Sequence, residues 1–274
     1  MIPGNNMFGR NIVRTNWAGW ILFALLAVAL VSGCSKKVTT PASTEQSLPT
    51  GAGDYSLEHT VAEGETLAQI ADNYYGDPGQ AAAIARDNGI ADPARVIPGS
   101  VLRLQFTKSE WADAQKRSAA LVPYNRGVDM LANDRLADAQ KQFQLALETA
   151  PDLVAAKYNL ALVLLRRGMT EDALVYLQQL TALRPTDTDF LFAEGNALFQ
   201  STLFDQAAAR FQAALDIDPQ MKRAAFGLAR SLQEAGHTDQ AIAAWNRYLE
   251  LDSTSSWAAA ARRNLKMLQD DDES

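Results

Sequence analysis

Cys34 is the single cysteine of this 274-residue chain, and its place is telling. It ends the run Val31, Ser32, Gly33, Cys34 directly behind an apolar stretch from Trp17 to Val31, so a nucleophilic thiol stands among small neighbours that leave it accessible. With no second cysteine, no intrachain disulfide forms. The two histidines, His59 and His237, lie far apart with no nitrogen or sulfur ligand close to either, which leaves no zinc-type set. Glu171 and Asp172 are adjacent carboxylates, but acids at a helix start complement its dipole and are not the facing pair that glycosidic bond cleavage requires. The chain is therefore expected to be no enzyme and to need no metal or cofactor.

The stretch before Cys34 is about fifteen apolar residues, short of the roughly twenty that span a bilayer, and Arg10 and Arg14 precede it. That layout reads as an export leader over residues 1–33. The sequence VSGC resembles a bacterial lipobox, which implies that the thiol takes a diacylglyceryl group and that Cys34 becomes the lipidated first residue of the mature chain. An uncleaved anchor is the alternative. Several acyl chains on one residue give stable attachment, at about 0.8 kcal/mol per buried methylene. Ser35 stands where the resemblance would put a retention-signalling aspartate, which favours the outer membrane facing the periplasm. Residues 34–58 are rich in Ser, Thr, Pro, Gly, Lys and Gln and read as a disordered tether, with a reach of roughly 25–30 Å. The chain carries 25 basic and 32 acidic residues, and losing Arg10 and Arg14 with the leader leaves a net charge near −9. Such a balance argues against nucleic acid as a partner.

Beyond the tether, a 34-residue period organises residues 120–253, with Pro151, Pro185 and Pro219 marking its beat. Four units begin at Ala120, Val154, Thr188 and Lys222. The twentieth place of each is alanine (Ala139, Ala173, Ala207, Ala241), where a small side chain lets two helices approach. The twenty-fourth place is large and apolar: Phe143, Leu177, Phe211, Trp245. The eleventh holds Met130, Leu164, Leu198 and Leu232. Gly168 and Gly236 suit the left-handed position after a helix, and Thr170 and Thr238 are placed to cap the next one. Each unit reads as a helical hairpin. This pattern resembles the tetratricopeptide repeat, despite Pro123, Lys157, Leu191 and Ala225 in place of its tryptophan and Ser253 in place of a fourth proline. The family presents its fifth place on a concave surface, which here is Tyr124, Tyr158, Phe192 and Phe226. With Val128, Leu131, Leu162, Leu165, Asn196, Phe199, Arg230 and Gln233 they are expected to line a groove for a peptide. The alternative is that the aromatics fill gaps between neighbouring helices and meet no partner.

Ahead of the repeats, residues 59–106 predict a strand at His59 to Val61, a helix with Leu67, Ile70 and Ala71 capped by Thr66, and a turn at Gly76 to Gly79. A second helix then ends near Asn88 and Gly89, and a closing strand runs from Val101 to Leu104. The phrases VAEGETL, YYGDP, ARDNGI and IPGSVLRL resemble the LysM domain, with Glu65 where aspartate is commoner. The resemblance implies binding of N-acetylglucosamine-containing glycan, hence peptidoglycan in a bacterial envelope. It puts Gly64, Glu65, Thr66 and Leu67 on one lip of the groove and Asn88, Gly89, Ile90, Ile97 and Pro98 on the other. Core roles for Leu67 and Ile97, and a loop-closing role for Asn88, are the alternatives. Residues 107–119 read as a connecting helix with Ser109 as cap, and Pro123 as the start or bend of the first repeat helix. Residues 254–269 read as a capping helix starting at Ser255 or Ser256, and residues 270–274 as an acidic tail.

The fold class expected is thus mainly α: a small βααβ domain, an α-solenoid of four hairpins and a capping helix. The function expected is a non-catalytic envelope lipoprotein that binds peptidoglycan and recruits an envelope protein, as in wall organisation or secretin and pilus assembly. The alternative is a peptidoglycan-remodelling enzyme or a regulatory subunit of one.

Overall fold

The computed structural model describes residues 55–272, so the leader, Cys34 and most of the expected tether lie outside the described residues. Strands β1 (Ser56–Thr60) and β2 (Val101–Gln105) pair antiparallel, with His59 opposite Leu102. Alternation along β2 turns Leu102 and Leu104 inward and leaves Val101 outside. The first strand starts at Ser56, earlier than the tether boundary at residue 58 and the expected strand start at His59. The Phe106 N–H donates to the Tyr55 carbonyl (2.8 Å) and the Tyr55 ring meets Trp111 (5.8 Å between centroids), which extends the pairing backward.

Between the strands lie α1 (Leu67–Tyr75) and α2 (Ala81–Asp87). Thr66 and Gln69 form a reciprocal capping box at the start of α1. Gly76 ends it in the left-handed region at φ 73°, against the Arg117 guanidinium, where no β-carbon would fit.

The expected connecting helix and first repeat helix are one element, α3 (Trp111–Ala132), which runs through the buried Pro123. Proline inside a helix forfeits one backbone bond and crowds the preceding turn. Here packing on both sides offsets that cost: Ala114, Arg117, Ala120 and Leu121 are buried where α3 meets α1 and the array. The start of α3 is closed by Thr107 and Glu110, whose carboxylate accepts from the Thr107 N–H (2.8 Å), and not by Ser109. Two ion pairs, Asp72 with Arg184 and Asp152 with Arg117, fix the small domain and this helix against the array. Leu67, Ile70, Tyr74 and Leu104 belong to the same buried apolar cluster as Tyr124, Phe143 and Leu164.

The array continues as antiparallel helices α4 (Leu136–Thr149), α5 (Val154–Arg166), α6 (Thr170–Leu183), α7 (Thr188–Gln200), α8 (Phe204–Ile217), α9 (Lys222–Glu234) and α10 (Thr238–Leu251). Helix α11 (Ser256–Asp272) closes it, so the first residues expected in an acidic tail are helical. Ser255 caps α11, its Oγ accepting from the Trp257 and Ala258 N–H groups. The recurrent alanines Ala139, Ala173, Ala207 and Ala241 are fully buried. Gly195 lies beneath the Phe211 ring and Gly127 beneath Phe143, so the hairpins close to a distance that excludes a β-carbon.

Each hairpin turn has the same backbone closure. The carbonyls of Met130, Leu164, Leu198 and Leu232 accept from the N–H groups of Arg135, Met169, Leu203 and His237, five residues on, at 2.8–3.0 Å. This closure demands a left-handed residue just before the acceptor's partner. Gly168 and Gly236 supply it, but in the other two turns it falls to Asp134 (φ 58°) and Thr202 (φ 60°). It also brings the chain straight into the next helix, so Thr170 and Thr238 are first helical residues and not caps; Met169 and His237 occupy the cap position and make no side-chain capping bond there. Threonine is β-branched and strained at positive φ. Thr202→Gly is therefore expected to stabilise the array by about 0.5–1 kcal/mol, read as a higher urea midpoint, whereas Gly236→Thr should lower it by a similar amount.

Candidate functional site

The lips of the small domain are held together where β1 ends and β2 begins. The Val61 N–H donates to the Ser100 carbonyl (2.9 Å) and the Gly99 N–H to the Val61 carbonyl (2.8 Å). Ser100 also folds its hydroxyl back onto the Ile97 carbonyl (2.7 Å), making the turn that lifts Ile97 outward. Ile97 is 71% exposed, Pro98 is exposed, and Val101 beside them is 59% exposed. An exposed apolar strip in a domain that also exposes Gly64, Thr66 and Gly89 matches a sugar's needs: flat apolar cover for ring and methyl faces, with peptide groups for its acetamido edge. Ile97 is thus surface and not core. Ile90 is half-buried, packed against the core. Val101 was not among the residues expected here; the in-out alternation of its strand is the signal that identifies it.

Three expected lip residues serve the fold. Leu67 is buried in the core. Asn88 spends its whole amide on structure: Nδ2 donates to the Ile84 and Arg103 carbonyls (both 2.9 Å), and Oδ1 accepts from the Arg103 N–H (2.8 Å). Glu65 turns inward, where its Oε2 accepts from His59 Nε2 (2.8 Å) and from the Ala62 N–H (2.9 Å).

The expected groove of the array is largely filled from within. Tyr124, Tyr158, Phe192 and Phe226 are all buried. Tyr124 packs on Phe143 (5.8 Å), Tyr158 on Phe190 (5.2 Å), Phe192 on Phe211 (5.7 Å) and Phe226 on Trp245 (4.9 Å), so the fifth-place aromatics join neighbouring helices and do not line a recess. Val128, Leu162 and Leu165 are buried as well. What remains half-buried is Leu131, Asn196, Phe199, Arg230 and Gln233. The Arg230 guanidinium lies 5.6 Å above the Phe199 ring and bonds Glu234 (3.4 Å); burial lowers its pKa to about 10, with Glu234 acting the other way. Gln233 accepts from the Trp245 indole N–H (2.9 Å). Of the residues expected in the groove, those that keep accessible surface therefore lie mainly on α7 and α9, and three of the five, Asn196, Arg230 and Gln233, are polar.

Glu171 and Asp172 are exposed at the first turn of α6. His237 bonds the exposed Asp205 (2.6 Å). Among the described residues no group of three or more His, Cys, Asp or Glu is arranged to hold a metal ion.

Comparison with known proteins accords with this geometry. The LysM domain family matches residues 59–105, and tetratricopeptide repeat families match residues 124–188 and 198–265. A curated mouse (Mus musculus) protein, DnaJ homolog subfamily C member 3, is 33% identical over 93 residues, which is 34% of this chain and 18% of that protein's length. Among solved structures, one of MamA AMB-1 is 22% identical with a TM-score of 0.46, covering 48% of this chain and 78% of that one. A thermophilic tetratricopeptide-repeat protein of Thermus thermophilus is 22% identical with a TM-score of 0.44, covering 54% of this chain and 80% of that one.

Proposed function

The chain is a LysM domain followed by tetratricopeptide repeats, and on that premise we propose that it is a lipid-anchored envelope scaffold which holds peptidoglycan with the first and a protein partner with the second. The two families suggest glycan binding and protein-protein interaction, and both are typically non-catalytic. The observation that carries the glycan reading is the exposed apolar strip of Ile97, Pro98 and Val101, in a domain whose Gly64 and Gly89 turns are also exposed. Two modest attachments on one chain, acyl groups at Cys34 and sugar at the lips, raise each other's effective concentration and favour a station between outer membrane and wall. The half-buried surface around Asn196, Phe199 and Arg230 is the part of the array left for a partner.

Sedimentation of the full chain with purified peptidoglycan tests the reading. Ile97→Asp should weaken retention by roughly tenfold or more, because a charge replaces apolar cover at the sugar face, while the melting temperature stays within about a degree at so exposed a position. Retention unchanged by this substitution would remove the lip from the function, and release of muropeptides during the incubation would favour the remodelling enzyme instead. For the anchor, intact mass of the membrane-extracted protein should correspond to a chain beginning at acylated Cys34; Cys34→Ala should leave an unacylated, uncleaved chain.

A further inference from the structure

Beneath the first lip lies a buried polar chain that the glycan reading does not use. His59 on β1 is fully buried, Glu65 nearly so, and Tyr74 on α1 completes the set, with its hydroxyl 3.2 Å from His59 Nδ1. A carboxylate only accepts, so Nε2 of His59 carries the hydrogen in the 2.8 Å contact to Glu65. In the neutral ring Nδ1 is then an acceptor, and the Tyr74 hydroxyl donates to it. The same Glu65 Oε2 accepts the Ala62 N–H, while the Glu65 N–H returns to the Ala62 carbonyl (3.1 Å). One oxygen thereby ties the turn 62–65, with Gly64 at φ 70°, to the strand behind it.

This arrangement is costly for the fold alone. The second oxygen, Glu65 Oε1, is buried with no hydrogen-bond partner among the described residues, and leaving a buried carboxylate oxygen unsatisfied costs its desolvation without return. What the burial achieves is orientation. Between the turn at Gly64 and the start of α1 at Leu67, burial alternates residue by residue: Glu65 and Leu67 are buried, and Gly64 and Thr66 are exposed.

We infer that Glu65 is a positioning residue of the glycan lip and not a sugar ligand: tethered from below by His59 and closed onto Ala62, it holds Gly64 and Thr66 outward in the conformation that meets the sugar. The inference rests on the glycan-binding reading and sharpens it. It also assigns a part to His59, which is too deeply buried to touch a sugar itself.

That burial makes the test discriminating. Affinity of the full chain in detergent for an N-acetylglucosamine tetrasaccharide is measured by calorimetry at a temperature where circular dichroism shows each variant folded, together with amide hydrogen exchange at Ala62. His59→Phe, which removes the tether and leaves Glu65 in place, should weaken sugar binding roughly tenfold and speed Ala62 exchange. His59→Gln retains an N–H donor and should stay within about threefold of the parent. Glu65→Gln, which retains acceptor capacity, provides a second route should His59→Phe fail to fold, and should likewise stay within about threefold. Parent-like affinity in folded His59→Phe, or a large loss in folded Glu65→Gln with Ala62 still protected, overturns the positioning role, the latter because it marks a carboxylate that contacts sugar directly. A parent chain that binds no sugar overturns the glycan reading itself and this role with it.

Discussion

Tyr158→Ala is expected to destabilise the array by about 3–5 kcal/mol, the range for removing a buried aromatic side chain. Tyr158 has no exposed surface, and its ring meets Phe190 of the next hairpin at 5.2 Å. Its neighbour Asn159 is equally buried and donates to the Tyr124 hydroxyl (3.1 Å), so the hole would open inside a polar-apolar contact that joins units one, two and three. A solenoid has no central core to absorb such a loss, because each unit is stabilised only by those beside it. Urea unfolding followed by circular dichroism should therefore show a much lower midpoint and a transition that loses cooperativity, with the units before and after the lesion separating. Phe192→Ala, which removes the contact to Phe211 and the ring beneath the Arg223 guanidinium (4.6 Å), should behave alike. A variant that kept its midpoint within about 0.5 kcal/mol of the parent yet no longer captured a partner would restore the fifth-place aromatics to the groove.

That result separates what the sequence discloses from what it hides. The 34-residue period set the starts of α5, α7 and α9 at Val154, Thr188 and Lys222, because alanines, large apolar residues and prolines recur locally and are read one hairpin at a time. The same period could not say which way Tyr158 or Phe192 faces. On a tightly packed solenoid the inner wall and the seam between neighbouring helices lie within one turn of each other, and only the distance to the next unit decides between them. Of the two readings for Pro123, start or bend of the first repeat helix, the start is ruled out because α3 begins at Trp111, and burial on two sides offsets the cost of a proline inside it. The small domain repeats the lesson at shorter range. Leu57 and His59 share one face of β1, and Val61, the next place in the alternation, is core; an imidazole on that face needs a polar partner, and Glu65 is the acid within reach. That alternation was legible, yet the family resemblance pointed Glu65 outward. Cys34 and its surroundings lie outside the described residues, so the anchor still rests on the sequence alone.

The distal end of the array yields the second large effect. Phe226 is met edge-on by three rings, Trp245 at 4.9 Å, Trp257 at 5.0 Å and Tyr248 at 5.2 Å, which tie α9, α10 and the closing helix α11 into one cluster. Removing it should cost about 3–5 kcal/mol from lost burial, with edge-to-face contacts adding about 0.5–1.5 kcal/mol each where they fail. The loss should not be shared evenly. Trp257 is the aromatic that α11 contributes to this cluster; the fully buried side chains of α11, Ala258 and Ala261, are small, and Leu265 and Leu268 pack on the cluster only partly buried. The Asp252 carboxylate, held down to about pKa 2 chiefly by the Ser255 hydroxyl, fixes the turn into α11 but offers no apolar area to replace the ring. Phe226→Ala is therefore expected to release α11 ahead of the rest. Amide exchange across residues 258–268 should accelerate by roughly a hundredfold while that of α5 stays near the parent's, since end units of a solenoid open independently of the interior. Equal acceleration in α5 would mean that the array unfolds as one cooperative body and that α11 is no separable cap.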